Sequence, residues 1–130
     1  MHKPIRSITN LLTATALVAT LFTALSFGRV YGDDKFPTGK FITGPFMVNF
    51  ESDGKMIVSR EGEIVVEGVY TVEKDQITLN DKRGPMACID AGPGKFNWKF
   101  DGKALTFKLI EDPCAGRANA LTGQPFTKKD

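Results

Sequence analysis

Beyond residue 32 the chain alternates apolar and polar residues in short runs, broken roughly every 10–12 residues by turn formers. No helical repeat of useful length runs beside that pattern, so the chain is restricted to an all-β fold. A period of two puts successive side chains on opposite sides of a strand, and each run then has one apolar face to bury. Gly39-Lys40-Phe41 opens the first strand, which ends at Gly44-Pro45. Phe46, Val48 and Phe50 alternate with Met47, Asn49 and Glu51, and Ser52-Asp53-Gly54 turns the chain into Lys55–Arg60. Glu61-Gly62 makes a tight turn, since glycine accepts the positive φ that hairpin turns need. Glu63 to Glu73 is the longest run, with Ile64, Val66, Gly68, Tyr70 and Val72 on one face; Gly68 marks a bend or bulge.

Lys74-Asp75 leads into a strand from Gln76 to Asp81, with Ile77 and Leu79 inward, and Lys82-Arg83-Gly84-Pro85 reads as a turn. Phe96, Trp98 and Phe100 share one face of Lys95–Phe100. Asp101-Gly102 is a strong two-residue hairpin signal, and Ala104–Ile110 returns with Leu105, Phe107 and Leu109 inward. After Glu111-Asp112-Pro113, residues Cys114 to Leu121 are expected to form a short helical turn capped by Gly123. Pro125 and Phe126 begin a last strand. About eight strands joined in sequence by short turns remove their edges most simply by closing into an up-and-down antiparallel barrel. A two-sheet sandwich is the alternative, but Greek-key connections need a long crossover. Only Cys88–Gly94 and Cys114–Gln124 are long links, so closure is favoured.

The first 32 residues read differently. His2, Lys3 and Arg6 form a basic start, Leu11 to Phe27 is an uncharged apolar run, and Val30 and Gly32 suit a cleavage after Gly32. That is a signal peptide over residues 1–32, leaving 33–130 as the folded domain. The rival is an uncleaved anchor, although a run of about 17 residues sits at the lower limit for spanning a bilayer. No cysteine lies near the cleavage region, which excludes a bacterial lipoprotein anchor. The whole chain carries 17 basic and 15 acidic residues. Without Lys3, Arg6 and Arg29 the balance becomes 14 against 15, a net charge near −1, and the basic excess that would favour nucleic acid disappears. The expected product is an exported, periplasmic or secreted monomer with no stable membrane anchor.

Cys88 and Cys114 are the two cysteines. In a small exported domain they read as a disulfide, and two free buried thiols are the reading that applies if the chain stays in a reducing compartment. A bridge closing a loop of about 27 residues would stabilise the fold by roughly 3.5 kcal/mol in the chain-entropy description.

Several of these residues form a recognisable series. Gly39-Lys40-Phe41 resembles the Gly-x-Trp opening of lipocalin-like barrels, with Phe in place of Trp. Gly68-x-Tyr70-x-Val72, Ile77-Thr78-Leu79 and Gly84-Pro85-x-Ala87-Cys88 follow. After them come Gly94-x-Phe96-x-Trp98-x-Phe100-Asp101-Gly102, Leu105-Thr106-Phe107 and Asp112-Pro113-Cys114-x-Gly116-Arg117. Over roughly residues 39–129 the chain resembles small exported bacterial lipocalin-like (calycin-type) barrel domains. The resemblance implies a barrel whose interior or mouth binds. The chain departs from lipocalins in its short length and in lacking a long C-terminal helix, which argues against a large ligand cup.

Chemistry-bearing groups are sparse. The single histidine is His2, inside the signal, which removes Ser-His and Cys-His nucleophiles and imidazole metal sites from the folded domain. Paired cysteines leave no thiolate. The acidic residues sit mostly in turns or on outward strand positions, so no enzyme, catalytic residue, metal or cofactor is expected. Binding remains. The inward aromatic set would fill an eight-stranded interior, and the alternative is a small apolar ligand at the barrel mouth. Phe46, Tyr70, Trp98, Phe107 and Arg117 are the candidate ligand-binding residues, Tyr70 and Trp98 combining stacking surface with a polar tip. Arg117 is either an anion contact at the barrel end or an arginine packed across the mouth, donating to strand-end carbonyls. Two functions follow: a binding module for a small hydrophobic ligand, or a secreted protein-interaction barrel of protease-inhibitor or envelope-stress type, acting through its loops around a filled interior.

Overall fold

The computed structural model describes residues 35–130; the expected signal peptide and its cleavage point lie outside them. Eight strands form the fold: β1 (Gly39–Thr43), β2 (Phe46–Phe50), β3 (Lys55–Arg60), β4 (Glu63–Glu73), β5 (Gln76–Arg83), β6 (Gly94–Phe100), β7 (Ala104–Glu111) and β8 (Phe126–Lys128). One helix, α1 (Ala115–Thr122), links β7 to β8. Every neighbouring pair is antiparallel and the sheet closes, giving an up-and-down barrel in sequence order. Among the described residues no helix is long and apolar enough to cross a membrane.

Closure depends on β8, only three residues long. Phe126 and Thr127 pair with Leu105 and Ala104 of β7, while Thr127 and Lys128 pair with Ile42 and Phe41 of β1. Beyond the ladder, the Lys128 N–H donates to Lys103 O at 2.8 Å and the Lys129 N–H donates to Lys40 O at 2.9 Å. Phe126, 2 % exposed, anchors this short strand in the core.

The two ends of the barrel are filled differently. At the end carrying the β2–β3, β4–β5 and β6–β7 turns, Phe36 inserts ahead of β1. Its ring lies 5.0 Å from Phe50, 5.2 Å from Trp98 and 5.5 Å from Tyr70. Phe36 thereby ties the lead-in from residue 35 to the barrel. The polar tips of the buried aromatics reach turn carbonyls: the Tyr70 hydroxyl donates to Glu51 O and the Trp98 indole N–H to Lys74 O at 3.1 Å.

Register shifts explain where alternation misleads. Val58 pairs with Val66 and Ser59 with Ile64, leaving Val65 unpaired in a bulge. Val65 packs against the core and Ile64 is 50 % exposed, the reverse of strict alternation. A second shift, at Ile110, lies beside Leu109, which is exposed instead of inward. Val72 also lies exposed, towards the end of β4. A third shift falls at Gly68, where a Cβ would approach Asn80 O to 2.6 Å. Glycine there lets β5 continue through Lys82 and Arg83, which the turn signal had placed outside it.

A disulfide joins Cys88 to Cys114, with Cα atoms 6.3 Å apart and a sequence separation of 26. It ties the β5–β6 loop to the start of α1. Reduction should lower the unfolding free energy by about 3 kcal/mol, read as the shift in urea midpoint between oxidised and reduced protein. Coincident midpoints would show that the bridge is not a staple.

Candidate functional site

At the opposite end, bordered by the β1–β2 turn, the disulfide-tied loop and α1, the interior is not filled. A cavity of about 380 Å³ lies there. The interior packing expected from the aromatic count therefore holds for one end only. The reason is side-chain size. Strand residues facing the cavity are mostly aliphatic, Val48, Met56, Val58, Val65, Val66 and Leu79, with Phe46 and Phe126 the aromatic ones, whereas Phe36, Phe50, Tyr70 and Trp98 crowd the other end. Aliphatic side chains around one ring of the barrel leave space that aromatic ones would occupy. Protein interiors seldom keep voids much larger than a water molecule, and small-molecule sites occupy about 300–1,000 Å³. α1 completes the wall through Gly116, Arg117, Asn119, Ala120 and Leu121.

Two charged residues line the cavity, Asp81 and Arg117, 4 % and 8 % exposed. Arg117 owes its position to the way α1 begins. Cys114 is the N-cap, extended in backbone, and its sulfur accepts the Arg117 N–H at 3.4 Å. The Arg117 side chain then meets Asp112, just beyond β7. Nε donates to Oδ2 and Nη2 to Oδ1, both at 2.7 Å, a bidentate pair, and Nη2 also donates to Gly92 O at 2.6 Å. Nη1 lies 3.5 Å from Asp81 Oδ1. Hydrogen bonds to Asp112 raise the Arg117 pKa above its usual range despite the opposing effect of burial, so the guanidinium is a fixed positive charge.

The same carboxylates hold the disulfide. Asp81 Oδ2 accepts the Cys88 N–H at 2.8 Å and Asp112 Oδ1 accepts the Cys114 N–H at 2.8 Å. Gly94 makes room for this arrangement, because a Cβ at that position would run into the Asp112 carboxylate. Of the two readings of Arg117, packing across the mouth fits these contacts, with carboxylates as its main acceptors alongside one loop carbonyl.

The candidate residues fall into two groups. Phe46 and Arg117 line the cavity. Tyr70 and Trp98 belong to the packed end, and Phe107 stacks inside, its ring 5.2 Å from Phe126 and 6.3 Å from Phe96. Asp81 was not among the candidates, yet it carried a readable signal: it continues the inward phase of Ile77 and Leu79, where a charged residue needs a buried partner. Met56, Val58 and Leu121 had no such signal. Searches against protein-family models, curated proteins and solved structures find no match to this chain.

Tyr70 provides a pH test of the packed end. Its pKa is raised above 10.0, first by burial and then by Asp53 and Glu51. A raised folded pKa means that the contribution to stability is complete below about pH 10 and is lost as pH rises through the folded value. Tyr70→Phe should cost about 1 kcal/mol at pH 8 through the lost hydrogen bond. Between pH 9 and 12 its stability should fall less steeply than that of the wild type, measured by urea denaturation. Parallel declines would contradict this placement of Tyr70.

Proposed function

We propose that this chain is an exported, non-enzymatic, lipocalin-like binding module that holds one small, mostly apolar molecule in the open end of its barrel. The observation that carries this reading is the 380 Å³ cavity bounded by valines, Met56, Leu79, Leu121 and Phe126. With a water's share of liquid volume near 30 Å³, that space takes roughly a dozen non-hydrogen atoms. A lining of aliphatic side chains with a few fixed polar groups is the usual composition of such sites. Export accords with the Cys88–Cys114 bridge and with the signal-like character of residues 1–32. A non-enzymatic role accords with the absence of histidine after His2 and with both cysteines lying in the bridge.

Exposed Met86 and Ile89, at 49 % and 51 %, support a second reading in which the disulfide-tied loop contacts a protein partner. The two readings differ in what disables them, cavity filling in the first and loop replacement in the second.

An environment-sensitive lipophilic dye should bind with one-to-one stoichiometry and brighten. Val58→Trp, which fills the cavity from the β3 wall, should retain the barrel's circular dichroism and reduce dye affinity at least tenfold. Unchanged uptake by the folded variant would rule out this cavity as the site.

A further inference from the structure

We infer that the molecule held in this cavity carries a neutral polar group that both donates and accepts a hydrogen bond, a hydroxyl or primary amide on an apolar body, and not a carboxylate. This rests on the binding reading above and adds the chemistry of the ligand's head. Asp81 Oδ1 and Arg117 Nη1 are buried and have no hydrogen-bond partner within the protein. Every other polar atom of the two side chains is engaged, by Cys88, Asp112 or Gly92. Both residues line the cavity, and both side chains are more than nine-tenths buried. The two atoms face each other as an ion pair at 3.5 Å, longer than a good hydrogen bond, and both are closed to solvent; a ligand oxygen inserted between them from the cavity would lie within about 2.8 Å of each.

One atom is an acceptor and the other a donor, which discriminates between head groups. A hydroxyl has one proton to give to Asp81 Oδ1 and lone pairs for Arg117 Nη1. A carboxylate only accepts; it would satisfy Arg117 but set a second negative oxygen against Asp81. An ammonium only donates, so it would leave Nη1 unsatisfied. The buried charges also count against an anion. Arg117 already faces two carboxylates, Asp81 and Asp112, so its charge is more than matched before any ligand arrives. The carboxylates that Arg117 would otherwise require of a ligand are supplied by the protein's own aspartates.

The test uses three probes with the same ten-carbon chain, 1-decanol, decyl methyl ether and decanoate, each competing with the bound dye at pH 7.5. Decanol is expected to bind at least tenfold more tightly than the ether, which cannot donate, and than decanoate, which cannot donate and is charged. Equal or tighter binding of either would overturn the inference while leaving the cavity as a binding site. Displacement by none of the three would overturn both readings. Asp81→Asn adds a reversal: its amide oxygen can still accept from Cys88, while its N–H₂ replaces the acceptor Oδ1 with a donor. The ratio of decanoate to decanol affinity should rise at least tenfold in this variant. An unchanged ratio in folded Asp81→Asn protein would contradict the inference, and if the variant fails to fold the wild-type comparison decides.

Discussion

Arg117 is the centre of a joint on which one whole end of the barrel depends. Its guanidinium is clamped by Asp112 after β7, reaches the loop carbonyl of Gly92 before β6, and approaches Asp81 near the end of β5. The two aspartates in turn fix the backbones of Cys88 and Cys114, whose sulfurs close the circle. Covalent bond and ion pairs therefore reinforce one geometry. Buried charges are costly unless paired and hydrogen-bonded, which explains why this cluster carries so many contacts. The disulfide adds to this by restricting the unfolded chain, so that less conformational entropy is lost when the joint is ordered.

Holding that end by a joint, and not by packing, is what permits an open interior. The opposite end is closed by aromatic contact: Phe36, Phe50, Tyr70 and Trp98 meet edge-on or tilted, and turn carbonyls accept from the tyrosine and tryptophan tips. Aromatic rings supply large burial there and cohesion for the short strands. At the mouth the strands present mainly valines, a methionine and a leucine, with Phe46 and Phe126 beside them, and α1 lies along the rim. The space left between them is an outcome of that division of labour. It need not be widened for a small molecule to occupy it.

Much of the fold was readable in the chain. Ser52-Asp53-Gly54, Glu61-Gly62 and Asp101-Gly102 mark turns because glycine takes the left-handed backbone found at Gly54, Gly62 and Gly102. Period-two alternation supplied strand faces for β2, β6 and most of β4. It failed at Ile64 and Leu109 because a bulge adds a residue and alters which side faces in, and bulges at these positions leave no residue signature. Phe36 was missed for another reason: an aromatic in a polar lead-in can plug a barrel only when a closed sheet offers it a hole. The link between Arg117 and Asp112 was visible from their closeness in sequence. Asp81 was not linked to them, being distant along the chain, although its inward phase after Ile77 and Leu79 announced a buried charge. The cavity is hardest to read, since it is defined by volume that several distant side chains fail to fill.

The claim that one end is solid and the other receptive is tested most directly by a crystal structure under xenon pressure. Xenon enters apolar cavities without needing a polar partner, and it requires no knowledge of the natural ligand. Ordered xenon is expected among Val58, Val66, Leu79 and Leu121, with none between Phe36 and Trp98. A mouth with no xenon, its side chains collapsed onto α1, would contradict it.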